Sequence, residues 1–140
     1  MNPEKIKELV REILLKDRRY VEDAYYFINE AVHFASEYFA KPEFGQERHL
    51  SGAELSEAIR EFTLSEFGSM SWAVLKNWGI RTTLDFGHIV FNLIDVGVLH
   101  ASPTDKLGDF DNVFDLQKEL SSPFEPENQL AKELPKIDSV

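Results

Sequence analysis

Apolar side chains recur three and four positions apart in successive stretches of this chain, and most stretches begin at a capping residue or end at a glycine. This spacing places the apolar residues on one face of an α-helix, which can then pack against a core. The residues that start or end helices are Asn2, Ser51, Thr82, Gly68, Gly79 and Gly97. The pattern therefore predicts a mostly α-helical protein.

The order of the predicted helices indicates how they are arranged. Residues 1–45 form a helix pair whose second member spans about residues 18–40. Residues 50–120 then contain a helix, a short helix over about 70–78, a glycine turn and a further helix that begins after Thr82. This second part has the helix order of a helix-turn-helix.

The segment after Gly97 is predicted to form a small β-hairpin. Residues 98–101 are suited to a strand, and a turn rich in Pro, Asp and Gly leads to a returning strand at 110–116. Phe110, Val113 and Phe114 also fit a helical stripe, so a helix at 110–116 is the alternative. With a hairpin, residues 50–120 are expected to be winged helix-turn-helix-like.

The chain length fits one compact domain. A chain of 140 residues is long enough to bury about two thirds of its unfolded surface. Residues 1–120 are predicted to form that domain. Residues 121–140 contain three prolines and four acidic residues, a composition that predicts a loosely ordered acidic tail.

Composition narrows the classes of function. Fifteen basic residues against 25 acidic ones give a net charge of −10, which opposes attraction to nucleic acid or anionic lipid. The absence of cysteine excludes disulfides and thiolate chemistry. The charged N-terminus does not have the pattern of a signal peptide, and no apolar run is long enough to span a bilayer. We therefore expect a cytoplasmic protein without a membrane partner.

The helix after Thr82 stands where a winged helix-turn-helix keeps its DNA-reading helix, yet it carries no lysine or arginine. Its predicted outward residues are Thr83, Asp85, His88, Asn92 and Asp95. Carboxylates without neighbouring cations disfavour nucleic acid, because phosphate and guanine contacts come mainly from lysine and arginine. These residues are instead predicted to form an interaction surface for a protein partner, and the acidic balance suits a basic one.

The second helix has an unusually wide aromatic stripe, with Tyr25 and Tyr26 at its edge. Because the stripe is wider than one helix can bury, these tyrosines are expected either in the core or on a homodimer face. They are therefore included in the predicted interaction surface. The pattern favours a non-catalytic protein-interaction or regulatory module.

A DNA-binding transcriptional regulator is the alternative function. It would contact phosphates through a basic cluster near the N-terminus, which consists of Lys5, Lys7, Arg11, Lys16, Arg18 and Arg19. Acidic residues alternate with these cations at helical spacing, which favours a solvated, salt-bridged face instead.

No metal or cofactor site is predicted. Glu30 with His33, and Asp85 with His88, show part of a di-metal spacing. Their histidines point away from the buried stripes, and the further inward carboxylates that such a site needs are missing. These residues are therefore expected to be ordinary surface side chains.

No catalytic site is predicted either, because the chain has no phosphate-binding, dinucleotide-binding, hydrolase or metalloprotease motif. A weak polar cluster remains in Arg48, His49 and Glu54, where a histidine near a carboxylate would be able to act as a general base. Glu54 is explained equally well as the partner of Ser51 in a capping box. An enzyme of unrecognised type is thus the remote alternative.

Several stretches, in order along the chain, carry a resemblance: 19-RYVEDAYYFINEA-31, 48-RHLSGAEL-55, 67-FGSM-70, 78-WGIRTTLDFGHIVF-91 and 109-DFDNVFDL-116. Together they resemble a small conserved hypothetical family found largely in Verrucomicrobia and Planctomycetes. The resemblance covers about residues 5–120 and implies a self-contained fold, with no activity, cofactor or catalytic residue attached to it.

Overall fold

Capped helices make up most of the computed structural model, which describes residues 1–39 and 49–126. The α-helices are α1 (Pro3–Lys16), α2 (Glu22–Tyr38), α3 (Gly52–Phe67), α4 (Ser71–Asn77), α5 (Thr83–Asp95) and α6 (Leu116–Ser121). Short 3-10 turns lie at Gly68–Met70, Leu107–Phe110 and Ser122–Phe124. The prediction of a mostly α-helical protein is confirmed.

Hydrogen bonds at the helix ends match the predicted capping signals. The Ser51 hydroxyl accepts from the Glu54 amide at 3.1 Å, and the Glu54 carboxylate accepts from the Ser51 amide at 3.2 Å. This reciprocal pair starts α3. Helix α4 is followed by Gly79 at φ 96°, and the Ile80 amide donates back to the Leu75 carbonyl at 2.9 Å. The glycine tolerates the left-handed conformation that this ending requires.

Helix α2 begins at Glu22, later than the predicted start near residue 18. Residues 17–21 form a non-helical linker instead, because the Val21 amide donates to the Trp78 carbonyl at 3.3 Å and ties the linker to the turn after α4. Gly79 permits this approach, since a Cβ there would overlap the Arg19 carbonyl oxygen. Tyr20 therefore enters the core from the linker and not from a helix.

The predicted β-hairpin is wrong, because none of the described residues, including 98–101 and 110–116, lies in a strand. Leu107–Phe110 form a 3-10 turn, and the Phe110 ring is buried in the core. The backbone groups that a returning strand would pair are bonded to α5. The Thr83 hydroxyl donates to the Phe110 carbonyl at 2.7 Å and accepts from the Val113 amide at 3.1 Å. The described residues therefore contain no wing.

Residues 121–126 continue the fold and do not begin a tail as predicted. Helix α6 extends through Ser121, and a 3-10 turn at Ser122–Phe124 follows it. The start of α6 is capped by Asp115, whose carboxylate accepts from the Lys118 amide at 3.2 Å. Residues 127–140, the remainder of the predicted tail, lie outside the described residues.

Helix α5 lies at the centre of the core. Phe86, Ile89 and Leu93 are fully buried, and α5 contacts α1, α2, α3 and the Leu107–Phe110 turn. A single apolar cluster includes buried residues from each of α1 to α6. The helix pair α1–α2 and the helices that follow it therefore share one core.

Gly87 permits the close packing of Phe110 on α5. A Cβ at residue 87 would lie 2.8 Å from Cγ and 2.9 Å from Cβ of Phe110, well inside the roughly 3.5–4.0 Å at which carbon atoms pack. The clashing atoms lie next to the Phe110 backbone, so rotating the ring would not relieve the overlap. The glycine is therefore required by this contact.

We expect Gly87→Ala to destabilise the protein by about 1–3 kcal/mol, because the added methyl group overpacks the core. The overlap outweighs the gain of up to about 1 kcal/mol that alanine has over glycine within a helix. Gly108→Ala is the control, since a Cβ at Gly108 meets nothing within 4 Å. Urea unfolding followed by circular dichroism measures both variants, and an unchanged free energy of unfolding in Gly87→Ala would contradict the packing described.

Candidate functional site

The prediction that Thr83 faces outward from α5 is wrong, and Asp85 is half-buried and caps the start of the helix. Thr83 is fully buried, and its hydroxyl bonds the backbone of residues 110 and 113. Asp85 accepts from the Tyr20 hydroxyl at 2.5 Å and from the Thr82 amide at 3.0 Å. Burial and this carboxylate raise the pKa of Tyr20, so its hydroxyl keeps the proton that it donates. Both α5 side chains hold neighbouring segments in place.

Asn92 is half-buried and is also hydrogen-bonded within the protein. Its amide nitrogen donates to Asp17 at 2.9 Å and to the Tyr25 hydroxyl oxygen at 3.0 Å. Asp17 lies 2.6 Å from the Arg19 guanidinium, and the hydrogen bonds from Arg19 hold the pKa of the Asp17 carboxyl well below its usual range. Asn92 therefore connects α5 to the 17–21 linker and to α2.

The other residues of the predicted interaction surface are scattered. Tyr25 is fully buried and therefore belongs to the core, which is the first of the two predicted alternatives, and not to an interaction surface. Tyr26 is half-buried and donates to Glu22 at 2.9 Å, while burial and this carboxylate raise the pKa of Tyr26 to about 12. His88 is half-buried and Asp95 is exposed. Because Thr83 and Tyr25 are buried, the predicted interaction surface is not formed as a whole.

A different apolar surface follows α2 and α3. We call it the aromatic strip and define it by its rings, which are the half-buried Phe34, Phe62, Phe67 and Trp78 and the exposed Tyr38. Its ring centroids are 5.6 Å apart for Phe34 and Tyr38, 5.1 Å for Phe34 and Phe62, and 5.7 Å for Phe67 and Trp78.

Phe27, which is 8% exposed, connects the two halves of the strip. Its centroid lies 5.1 Å from that of Phe62 and 5.2 Å from that of Phe67. All these spacings are within the roughly 4.5–7 Å typical of packed aromatic pairs. The width of the aromatic stripe on α2 was visible in the sequence, but its continuation onto α3 and Trp78 was not predicted.

Carboxylates border the aromatic strip. Asp23, Glu30 and Glu37 are exposed and stand seven residues apart on α2, so they form a line along one side of the helix. Helices α2 and α3 together contain eight acidic residues and one basic residue, Arg60. Arg60 is already paired with Glu61 at 3.0 Å and with Glu119 at 3.1 Å. The two helices that carry the strip are therefore strongly acidic.

A pocket of about 330 Å³ lies between α2, the start of α3, α5 and the segment 99–110. Its floor is apolar, and its polar residues are Ser36, His49, His100, Asp105, Lys106 and Asp109. His49 Nε2 lies 2.8 Å from Asp105 Oδ1. Three of these six residues, Asp105, Lys106 and Asp109, come from the stretch between the two predicted strands, where the density of Asp and Lys was the available signal.

The weak polar cluster predicted at 48–54 is thus only partly at the pocket. His49 lines it, but Glu54 is engaged in the α3 capping box. Arg48 lies outside the described residues. The arrangement brings a histidine and an aspartate together, without a serine or threonine hydroxyl bonded to that histidine among the described residues.

Within residues 1–39 and 49–126, no group of three or more His, Cys, Asp or Glu side chains is arranged to hold a metal ion. The Glu30–His33 pair illustrates why, since His33 Nδ1 lies 2.7 Å from the carbonyl of Asn29 on its own helix. In the same described part of the chain, no helix combines the length and apolar character needed to cross a membrane.

Comparison with known proteins adds no relative: no protein-family model, curated protein or solved structure matches the chain. The resemblance to a family of Verrucomicrobia and Planctomycetes stays a prediction.

The Asp17 pKa predicts how stability depends on pH. Because this pKa is lower in the folded protein than the value of about 3.9 in an unfolded chain, ionised Asp17 stabilises the fold above that pH. The contribution is lost as the pH falls through the acid range below about 4. We expect Asp17→Asn to reduce the acid-dependent loss of stability, measured by urea unfolding at a series of acid pH values.

Asp23→Asn is the control, because Asp23 is exposed and has no ion pair among the described residues. It should leave the pH dependence of the wild type nearly unchanged. Equal pH dependence in wild type and Asp17→Asn would contradict the Asp17–Arg19–Asn92 network.

Proposed function

We propose that this protein is a non-catalytic protein-interaction module that binds a basic, amphipathic segment of a partner protein along the aromatic strip. The observation that carries the proposal is a row of half-buried and exposed rings that is joined through the buried ring of Phe27 and has carboxylates along its edge. Large aromatic side chains are enriched at the energetically important positions of protein interfaces. The Tyr38 ring is 52% exposed, which leaves much of its apolar surface for a partner to cover.

The charge around the strip supports a basic partner. The exposed residues Asp23, Glu30 and Glu37 would meet lysine or arginine side chains on the rim of the interface, where opposite charges speed association and select the partner. The apolar face of the partner segment would cover the rings. An amphipathic helix with a cationic polar face has both properties.

The same charge disfavours the predicted homodimer on this strip. A two-fold interface places the same surface of each copy against the other, so carboxylates would oppose carboxylates. The only cation on α2 and α3 is Arg60, which is occupied by Glu61 and Glu119. A second copy of this chain is therefore a poorer occupant than a basic segment.

The DNA-binding alternative gains no support from the geometry of the described residues. Helix α5 would have to present its polar side chains to a groove, but Thr83, Asp85 and Asn92 are bonded to other segments. In the N-terminal basic cluster, Arg11 pairs with Glu22 and Arg19 with Asp17. A helix-turn-helix relationship between α4 and α5 stays a prediction, as does a cytoplasmic location.

Two synthetic peptides of equal length and helical apolar spacing test the proposal, one made of Lys and Leu and the other of Glu and Leu. Isothermal titration calorimetry should show binding of the Lys/Leu peptide and its weakening by salt, with little binding of the Glu/Leu peptide. Equal binding of both peptides, or of neither, would contradict the proposed partner chemistry.

Variants locate the binding on the surface. We expect Tyr38→Ser to lower the affinity for the Lys/Leu peptide by roughly tenfold, because an aromatic side chain in an interface typically contributes more than about 1 kcal/mol to binding. Leu15→Ser is the matched control, since Leu15 is 79% exposed on α1, away from the strip. Similar weakening in both variants would show that the peptide binds apolar surface without selecting the strip.

Charge reversal provides a second comparison. Glu30→Lys combined with Glu37→Lys should slow association and weaken binding, whereas Glu8→Lys combined with Glu12→Lys on α1 changes the net charge equally and should have a smaller effect. Sedimentation of the free protein checks the homodimer. A stable dimer that Tyr38→Ser dissociates would overturn the proposal in favour of self-association.

A further inference from the structure

The pocket between α2, α3 and α5 is separate from the aromatic strip. Val32 and Ser36 line the pocket, whereas Phe34 and Tyr38 belong to the strip. Val32 and Phe34 are two residues apart on α2, as are Ser36 and Tyr38. Two residues correspond to roughly 200° around a helix. The pocket therefore opens on the opposite side of α2, and a ligand there would not compete with a partner on the strip.

The floor of the pocket accepts an apolar group. Leu55 on α3, Val90 and Ile94 on α5, and Leu99 line it together with Val32. The volume of about 330 Å³ lies at the lower end of the roughly 300–1,000 Å³ found for small-molecule sites. This space suits a compact ligand with one large apolar substituent.

The rim of the pocket carries charges of both signs. Lys106 lines it, and the Lys106 ammonium has no ion-pair or hydrogen-bond partner among the described residues. Asp109 lines it as well, and only its Oδ2 is engaged, by the Lys106 amide at 3.3 Å. Asp105 is held by His49 at 2.8 Å and by the Ser102 amide at 2.6 Å. A free ammonium and a carboxylate with an unused oxygen therefore stand beside the apolar floor.

We propose that this pocket binds a free α-amino acid with a large apolar side chain. Its carboxylate would pair with Lys106, its ammonium with Asp109, and its side chain would occupy the floor. A simple organic anion would meet Asp105 and Asp109, and a simple amine would meet Lys106. Only a ligand that carries both charges next to an apolar group satisfies the whole pocket.

The walls are held in place before any ligand binds. A Cβ at Gly52 would lie 2.9 Å from the Asp109 backbone, so the start of α3 and the 3-10 turn are in direct contact. Phe110, next to Asp109, is fixed against Gly87 on α5. Binding therefore needs little rearrangement of these two segments, which reduces its entropic cost.

Calorimetric titration of the full-length protein with L-phenylalanine tests the proposal, with analogues that each remove one feature. N-acetyl-L-phenylalanine lacks the ammonium, L-phenylalaninamide lacks the carboxylate, and glycine lacks the side chain. We expect L-phenylalanine to bind in the micromolar to low millimolar range, and each analogue to bind at least about tenfold more weakly.

Variants assign the binding to the two charges. Lys106→Gln and Asp109→Asn should each lower the affinity for L-phenylalanine about tenfold or more. The asparagine at residue 109 still provides an acceptor for the Lys106 amide. Lys76→Gln and Asp111→Asn remove exposed charges outside the pocket and should change the affinity little. Thermal unfolding of each variant verifies that it is folded.

The outcomes separate the proposal from its competitors. No heat of binding at low millimolar L-phenylalanine would overturn it. Equal affinity for L-phenylalaninamide would identify an amine site, and equal affinity for N-acetyl-L-phenylalanine an anion site, so either result would also overturn it. Binding that the Tyr38→Ser variant loses would place the ligand on the aromatic strip and overturn the assignment to this pocket.

Discussion

The burial of α5 is the constraint on which the rest of the structure depends, because this helix is not purely apolar. Buried polar groups need hydrogen-bond partners, since leaving one unsatisfied costs about 1–3 kcal/mol. The buried Thr83 hydroxyl bonds the backbone of residues 110 and 113. The half-buried Asp85 accepts from Tyr20, and the half-buried Asn92 donates to Asp17 and Tyr25.

Those hydrogen bonds determine where the other segments lie. The 17–21 linker runs along α5, because Asp17 accepts from Asn92 near the end of the helix and Tyr20 donates to Asp85 near its start. The chain after α5 returns to the same helix through Phe110. The helix that resembles a DNA-reading helix in sequence is thereby covered on several sides. Function is therefore expected on the surfaces that α2 and α3 leave open.

Helix α2 forms part of both proposed sites. One side of it holds the exposed rings of the aromatic strip, and the other side contributes to the pocket floor. The two sites differ in chemistry, since the strip is aromatic with carboxylates of α2 along its edge, whereas the pocket rim carries both signs of charge. A partner protein and a small ligand would therefore be able to occupy the protein at the same time.

Local signals in the sequence predicted local structure well. The capping box of Ser51 with Glu54 and the glycine ending at Gly79 depend on residues within a few positions of one another, and both were predicted correctly. The start of α2 was predicted too early because the bond between Val21 and Trp78 is a long-range contact. Sequence spacing alone does not reveal such a bond.

The larger errors have the same origin. Helical spacing placed Thr83, Asp85 and Asn92 on one polar side of α5, but that spacing does not show whether solvent or a bonded segment covers that side. The hairpin was predicted from a turn at 102–108, yet the backbone beyond that turn pairs with the Thr83 hydroxyl. The pocket could not be predicted, because its residues come from α2, α3, α5 and the 99–110 segment.

Native-state hydrogen–deuterium exchange of the free protein tests the central claim most directly. If α5 is the bonded centre of the core, the amides of residues 87–93 should exchange only through global unfolding, and their exchange rates should follow the overall stability as urea is added. Exchange of these amides in native buffer as fast as in the exposed turns of α1 would contradict a buried α5.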